Sequence, residues 1–397
     1  MRVIIYGVGR NFRIFFGDIR DTSAWMRKND ISIVGVAKTN PDESKEYVMI
    51  SDTIYKIKHI GDFSEDSYDY ILVTTEQYFE DIKKYLMRQG ISEDRVIPIK
   101  SFFDSIIYKT SEYKYRISIA AIIKNEGEYI EEWLQFHILM GIEHFYVYDN
   151  ESSDNTAEIL KEYEKIGLVT YIFWPGKGQQ VPAYTNAIDR FKNESIYMAF
   201  IDADEFLFPV AENKLFDVVD HILNQHNSLK VSGENEAVAV GINWRTYGTS
   251  FHVNKSDDLV IKRFVFRMNA NARHNLFIKS IYNPRAVTAV GAHYALYVPG
   301  YCSISENGSE LPGPTFRDGK CQKLRINHYE SKSEEEYIER RKKGDADALD
   351  QTIRETEEYI MDTLRLFRSA YNVKYDPILS KYSDLVEKAI KKFRGKL

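Results

Sequence analysis

The chain has 397 residues, of which 44% are hydrophobic and 28% are charged, so it is long enough for two or three globular domains. Its formal net charge of -6 excludes a general attraction to nucleic acid. Cys302 and Cys321 are its only cysteines, which excludes a disulfide framework and favours a reducing cytoplasm. The chain begins with a strand pattern, and no apolar run approaches the roughly 18 residues of a membrane span. We therefore expect a cytoplasmic protein.

The first 112 residues are predicted to form a small doubly wound, Rossmann-like domain. Strand patterns at 3–6, 31–37, 70–74 and 96–99 accompany a helix pattern over 78–89. Gly7-Val8-Gly9 suits a turn that admits a phosphate, but Phe12 replaces the third glycine of a dinucleotide-binding motif. The domain resembles nucleotide-binding-like modules of bacterial polysaccharide-synthesis proteins. We interpret it as a scaffold or interaction module, with a bound cofactor as the alternative.

Residues 113–331 are predicted to form a second α/β domain. Strand patterns at 117–123, 144–148, 169–173 and 196–201 alternate with helix patterns at 128–140, up to 166, and 181–191. This alternation predicts a parallel sheet with right-handed crossovers. Because parallel strands end at one edge, Asn125, Asp149, Asp202 and Asp204 should converge on one rim.

The most informative motif is the D-x-D pair formed by Asp202 and Asp204, followed by Glu205. The apolar run before it predicts a buried strand, and alternate residues of an extended chain share a face. Two carboxylates on one face suit a hard divalent ion that leaves positions open for diphosphate oxygens. A solvated acidic loop is the alternative interpretation.

Several separated blocks resemble glycosyltransferase family 92, a group of GT-A enzymes that includes galactan synthases. The similarity covers about residues 116 to 347. The blocks that carry it are Lys124-Asn125-Glu126, Glu132-Trp133-Leu134, His137, Tyr148-Asp149-Asn150, Ser152, Asp154, Asp202 to Phe206, Asn243 to Gly248, His252, Lys279-Ser280-Ile281, His293, His328-Tyr329, Lys332-Ser333 and Glu335. Tyr247 stands where Phe is usual, and Lys343-Gly344 replaces an Arg-Gly pair. Lys343 offers a point charge in place of a guanidinium fork.

The resemblance implies a GT-A fold and an inverting, metal-dependent transfer of a sugar from a nucleotide donor, with UDP-galactose the preferred donor and Mn²⁺ or Mg²⁺ the cofactor. By analogy, Asp149 holds the nucleoside through its uracil or ribose, while Asp202 and Asp204 contact ribose and metal. The third metal ligand is His328, with His293 as the alternative, because imidazole suits Mn²⁺. A histidine hydrogen-bonded in the core is the other interpretation of either. The predicted donor-binding residues are Lys124, Asn125, Glu126, Asp149, Asp202, Lys279 and Lys343.

Inversion needs a general base for the acceptor hydroxyl. The candidates are Asp258, Asp257, His252 and Glu205, although Glu205 also suits a role in fixing its loop. Asn243 and Trp244 follow a strand pattern at 238–242 and are candidates for acceptor binding, where an indole stacks on a sugar. A Trp that closes the edge of the core is the alternative.

Residues 332–397 are predicted to be a helical segment. Ser333 and Glu336 form a capping box that opens a charged helix, in which Arg340 to Lys343 either close over the diphosphate or face solvent. Past Pro377, apolar residues recur at helical spacing among lysines and arginines. This basic helix packs on its own domain, on a second copy of the chain, or on anionic lipid at the inner face of the membrane.

Two functional classes follow. The first is a glycosyltransferase that extends a glycan or a lipid-linked glycan during bacterial surface polysaccharide synthesis. The second is a catalytically decayed partner subunit that binds nucleotide or glycan. A glycosidase fits less well, because it needs two opposed carboxylates across a cleft, whereas these acids follow one strand.

Overall fold

A computed structural model of the chain describes residues 1–17, 21–41, 46–109, 112–211, 214–231, 233–343 and 356–395. Two main β-sheets organise these residues. The first draws its strands from residues 2 to 98 and the second from residues 115 to 328.

The first sheet contains six strands among the described residues, in the order β3-β4-β2-β1-β5-β6. Its strands and helices are β1 (Arg2–Tyr6), α1 (Arg10–Phe16), α2 (Thr22–Arg27), β2 (Ser32–Ala37), β3 (Tyr47–Ile50), β4 (Thr53–Lys58), β5 (Tyr70–Val73), α3 (Phe79–Arg88), β6 (Val96–Pro98) and α4 (Ile99–Ile107). Phe12 lies in the core at 4% exposure. The turn after β1 needs a glycine, since Gly7 has φ of +96° and a Cβ there would lie 2.9 Å from Thr74 Oγ1.

The second sheet contains nine strands among the described residues, with the path β11-β18-β12-β14-β10-β7-β8-β9 and β17 beside β12. Its first half consists of β7 (Tyr115–Ile123), α5 (Ile130–Met140), β8 (His144–Asp149), α6 (Thr156–Lys165), β9 (Val169–Phe173), α7 (Gln180–Phe191), β10 (Ser195–Phe200), β11 (Glu205–Pro209) and α8 (Leu215–Leu229). Its remaining strands are β12 (Glu236–Thr246), β14 (Ile278–Tyr282), β17 (Tyr301–Ile304) and β18 (Leu324–His328), with the short helix α9 (Val260–Arg263) in between. β15 (Val287–Val290) and β16 (Ala295–Tyr297) pair in a separate two-stranded sheet, and β13 (Phe266–Arg267) pairs with a later strand at Lys374–Tyr375.

The α/β class is confirmed, and so is the parallel arrangement of β9, β8, β7 and β10. The sheet continues beyond these four strands, and several of the added pairings are antiparallel. β14 pairs antiparallel with both β10 and β12, and β18 pairs antiparallel with β11. These strands come from residues 205–209, 278–282 and 324–328, whose partners lie far away in the sequence. Local periodicity therefore carries no information about their direction.

The C-terminal elements return to the second domain. They are α10 (Glu334–Lys343), α11 (Glu357–Leu366), a π-helical turn at Phe367–Tyr371, β19 (Lys374–Tyr375) and α12 (Ser383–Arg394). The capping box before α10 is present, because Ser333 and Glu336 exchange hydrogen bonds. Gly344, which follows α10 in the sequence, lies outside the described residues. None of the described helices is both long and apolar enough to cross a membrane.

The basic helix α12 packs on its own domain. Phe393 stacks on Tyr163 at a centroid distance of 3.9 Å, Arg394 pairs with Glu131, and Val386 is fully buried. This is one of the three arrangements that the sequence left open. The apolar side of α12 thus helps to form the domain core and is not free to enter a lipid surface.

We expect Val386→Ala to lower the free energy of unfolding by about 2 kcal/mol, because it removes buried methyl groups and leaves a cavity. Leu385→Ala is the matched control on the same helix, since Leu385 is 51% exposed. Its effect should stay within about 0.5 kcal/mol. Urea denaturation of the full chain measures both. Equal effects would contradict the observed orientation of α12.

Candidate functional site

The D-x-D turn lies between β10 and β11 at the carboxyl edge of the parallel strands. Several contacts fix its backbone. The amide of Asp202 donates to Glu205 Oε2 at 3.0 Å, and Trp133 Nε1 donates to the carbonyl of Glu205 at 2.8 Å. Two residues further along β11, His137 Nε2 accepts from the amide of Leu207. The turn is therefore held in place by α5 and by its own third acid.

The two aspartates have different partners. Asp202 Oδ2 lies 2.9 Å from Lys279 Nζ, and Asp202 Oδ1 accepts from Gln180 Nε2 at 2.9 Å and from the Tyr184 hydroxyl at 3.1 Å. Gln180 and Tyr184 are one turn apart on α7, so a single helix face positions this carboxylate. The side chain of Asp202 remains 33% exposed.

Asp204 is buried and lies between two cationic side chains. Its Oδ1 is 3.5 Å from His328 Nε2 on β18, and its Oδ2 accepts from Arg340 Nη1 on α10 at 2.7 Å. Burial opposes ionisation, but Arg340 and His328 hold the pKa of Asp204 well below its usual range. Asp204 therefore stays ionised, as a metal ligand must.

Of the two predicted histidine ligands, His328 is the one that lies against Asp204. Burial would lower the pKa of His328, but the charge and hydrogen bonding of Asp204, with Glu205 and Glu330 nearby, raise it to about 9. His293 instead has its Nδ1 3.2 Å from the carbonyl oxygen of Ile278. Burial and the charge of Lys279 lower the pKa of His293 to about 4.

The residues present fit a divalent ion at Asp204 and His328. Two ligand atoms that share one ion at about 2.1 Å lie about 3 to 3.5 Å apart, which is the observed separation. A carboxylate oxygen and an imidazole nitrogen are a suitable pair for Mn²⁺. Arg340 supplies positive charge at the same carboxylate, so an ion and Arg340 compete for Asp204.

The predicted nucleoside end of the rim is also ordered by hydrogen bonds. Asp149 is buried and accepts from the amide of Ser152 and the hydroxyl of Tyr171. Asn125 has φ of +55° and accepts from the amide of Ser153. These contacts hold the loop after β7 against the loop after β8.

The other predicted donor-binding residues differ in position. Lys124, Asn125 and Glu126 follow one another in the loop after β7. Glu126 Oε2 lies 3.8 Å from Lys332 Nζ. Lys279 is fully buried and contacts Asp202 and Glu205. Lys343 is the last residue of α10, and its side chain lies outside the described part of the structure.

The four candidates for the general base lie in different surroundings. Glu205 is fully buried, and burial raises its pKa to about 8 against the pull of Lys279. Its contacts are those of a residue that fixes the loop. Asp258 pairs with Lys262 on the surface, and His252 Nε2 lies 3.1 Å from the carbonyl oxygen of Arg263. Asp257 is exposed. The base therefore remains a prediction.

The side chains of the two candidates for acceptor binding contact the interior of the protein. The side-chain nitrogen Nδ2 of Asn243 donates to three backbone carbonyls, those of Asn275, Leu276 and Phe316. Trp244 is 6% exposed. Its indole packs against His274, Phe277, His293 and His328. The alternative interpretation of Trp244, as a residue that closes the core edge, agrees with this packing.

Sequence reasoning missed four residues of the site, namely Gln180, Tyr184, His274 and Glu330. The i, i+4 spacing of Gln180 and Tyr184 places both on one face of α7, but the predicted helix began one residue later, at Val181. Arg340 was noted for the diphosphate, but its contact with Asp204 was not foreseen. No local pattern connects His274 to the rim.

A profile of glycosyltransferase family 92 matches residues 114–365. The chain belongs to glycosyltransferase family 92. Residues 1–97 match a second profile, described as C2185-like, N-terminal. The family profile covers more than half of the chain and includes all the rim residues described above.

Relatives in plants and animals are similar to parts of this family 92 chain. A glycosyltransferase family 92 protein of Ricinus communis is 25% identical over 181 residues, which are 45% of this chain and 30% of that protein. The beta-1,4-galactosyltransferase galt-1 of Caenorhabditis elegans is 24% identical over 277 residues, 65% of this chain and 58% of that protein. The chain thus spans less than two thirds of either relative.

Among solved structures, S. aureus TarS 1-349 in complex with UDP-GlcNAc aligns with a TM-score of 0.33 and 12% identity. The alignment covers 71% of this chain and 73% of that one.

We expect the affinity for Mn²⁺ to rise with pH. His328 has a pKa of about 9 without an ion, so it is protonated at neutral pH and must lose that proton to bind metal. Affinity should increase by about tenfold per pH unit from pH 7 and level off above pH 9. Electron paramagnetic resonance of free Mn²⁺ measures it. An affinity independent of pH would contradict His328 as a ligand.

We expect Arg340→Ala to tighten Mn²⁺ binding in the absence of donor, by about threefold or more, because it removes the cation that competes for Asp204. Arg340→Lys keeps the charge and serves as the matched control, with a smaller change. The same resonance titration applies. Weaker Mn²⁺ binding in Arg340→Ala would show that Arg340 supports the ion instead of competing with it.

Proposed function

We propose that this chain is an inverting, metal-dependent glycosyltransferase that moves galactose from UDP-galactose onto a glycan. The observation that carries the proposal is the buried Asp204, which shares one edge of the sheet with His328, Arg340 and the more exposed Asp202. Membership of family 92 supports the reaction class, and the galactosyltransferase among the relatives supports the sugar.

The donor is proposed to lie along the rim from Asp149 to Asp204. Asp149 and the loops after β7 and β8 form the nucleoside end. Asp202 is oriented by Lys279 and by α7, and its exposed fraction allows it to contact the ribose. The diphosphate then falls near Asp204 and His328, where the positive charge of the site is concentrated.

The leaving group is a nucleoside diphosphate, so the site must stabilise negative charge that develops as the glycosidic bond breaks. A Mn²⁺ or Mg²⁺ ion bound by Asp204 and His328 supplies Lewis-acid and charge-stabilising chemistry when present. With an ion at that carboxylate, Arg340 would donate to a diphosphate oxygen, and Lys343 at the end of α10 is a second candidate. Arg340 presents a fork that matches phosphate geometry.

The acceptor hydroxyl must approach from the face opposite the diphosphate and lose its proton to a base. The loop that carries His252, Asp257 and Asp258 borders α10, since the amide of Glu334 donates to the carbonyl of His252. This position beside the helix that supplies Arg340 favours the loop over the buried Glu205 as the source of the base.

The biological setting is proposed to be surface polysaccharide synthesis in a bacterial cytoplasm, with a glycan or lipid-linked glycan as acceptor. The two free cysteines agree with a reducing compartment. The burial of the apolar side of α12 leaves only its basic side for contact with a membrane surface or a second copy of the chain.

The catalytically decayed partner subunit is the second candidate. It is favoured by one observation, the ion pair between Arg340 and Asp204, which satisfies the carboxylate without a metal. The two candidates differ in whether the bound donor is consumed.

We expect UDP release from UDP-galactose in the presence of Mn²⁺ to fall by at least about 100-fold in Asp204→Asn, since the ion contributes several kcal/mol to the leaving-group step. Asp217→Asn is the matched control, because Asp217 lies on the surface with a side-chain exposure of 61%. A coupled assay for UDP measures both variants. UDP-galactose that stays intact over hours with the wild-type chain and Mn²⁺ would refute the enzyme and favour the binding subunit.

A further inference from the structure

A second group of side chains with the chemistry of metal ligands lies beside the rim. His274, His328 and Glu330 each offer one ligand atom, and the three atoms lie within 4.8 Å of one another. His274 comes from the turn before β14, while His328 ends β18 and Glu330 follows it. Two separate parts of the chain therefore converge on one point.

Two of these side chains have buried atoms that lack a hydrogen-bond partner. They are Nδ1 of His328 and Oε2 of Glu330. His328 is 7% exposed, so bulk water does not solvate its ring. Glu330 Oε2 lies 3.1 Å from His274 Nε2, and the two atoms are not aligned as a hydrogen bond. An unpartnered buried polar atom is costly, and a bound ion would remove that cost for both.

The separation of 3.1 Å is what two ligands of one ion require, because metal-ligand distances of about 2.1 Å place neighbouring ligands about 3 to 3.5 Å apart. The other carboxylate oxygen of Glu330 has its own cation, since Arg341 Nη2 lies 3.9 Å from Oε1. Oε2 is thus left for the group that faces His274. The side chain of His274 is 33% exposed and provides a path from solvent.

We propose that His274, His328 and Glu330 form a second metal site, selective for a transition-metal cation of the Zn²⁺ class. Two imidazoles and one carboxylate make a three-ligand set that leaves a fourth position for water. Imidazole donors favour Zn²⁺ or Co²⁺ over Mg²⁺, which prefers an all-oxygen octahedral shell. Asp204 is not a member of this group, and His328 is shared with the rim.

The test is a metal titration of the full-length chain after removal of metals by a chelator. Zn²⁺ binding is measured by calorimetry, and Co²⁺ is used as a coloured probe of the ligand set. We expect His274→Ala and Glu330→Gln each to weaken Zn²⁺ binding by at least about tenfold, since even an outer partner of a metal ligand contributes that much. His221→Ala, at an exposed histidine of α8, is the matched control and should bind as the wild type does.

Asp204→Asn separates the two sites. It should retain Zn²⁺ affinity within a few-fold while losing Mn²⁺, and His274→Ala should show the opposite pattern. Unchanged Zn²⁺ affinity in both His274→Ala and Glu330→Gln would overturn the proposal, as would loss of Zn²⁺ in Asp204→Asn alone. Because Glu330→Gln preserves size and shape, it keeps the test valid if His274→Ala is unfolded. The readout is independent of sugar transfer, so failure of UDP-galactose turnover leaves it unaffected.

Discussion

The site depends on a dense set of acids at the end of one strand, two of which, Asp204 and Glu205, are buried. Asp202, Asp204 and Glu205 lie within four residues, and cationic side chains from three distant elements surround them, namely Lys279, His328 and Arg340. Burying carboxylates without such partners would cost several kcal/mol per charge. The fold must therefore place β14, β18 and α10, which carry these cations, next to the end of β10.

This arrangement changes how a divalent ion is expected to bind. An ion at Asp204 would meet the two cationic neighbours that this carboxylate already has. It would have to displace the proton on His328 and the guanidinium of Arg340. Metal binding would then be coupled to pH and to the release of Arg340, the residue proposed to receive a diphosphate.

The amino-terminal part of the chain contacts α7, a helix that also contacts the rim. One end of that helix presents Gln180 and Tyr184 to Asp202. Near its other end, Asp189 pairs with Lys28, and the ammonium group of Lys192 donates to the carbonyl of Lys28. A contact at Trp25, whose indole donates to the carbonyl of Arg285, joins the domains again. These contacts join the amino-terminal part of the chain to the helix that orients Asp202.

The sequence predicted the half of the site that local patterns can encode. Apolar runs predicted β7, β8 and β10, and each of these three runs ended at a polar residue, so the placement of Asp149 and Asp202 at one edge followed from sheet geometry. His328 was predicted from a family resemblance, because 124 positions separate it from Asp204 and no periodicity links them.

His274 and Glu330 were predicted neither from a local pattern nor from the family resemblance. They meet only because β14 runs antiparallel beside β10 and β12 while β18 pairs with β12 and β11, a reversal of strand direction decided by long-range pairing. Only the structure shows which side chains this long-range strand pairing brings together. The proposed second metal site therefore rests on distances and on unpartnered atoms instead of on a motif.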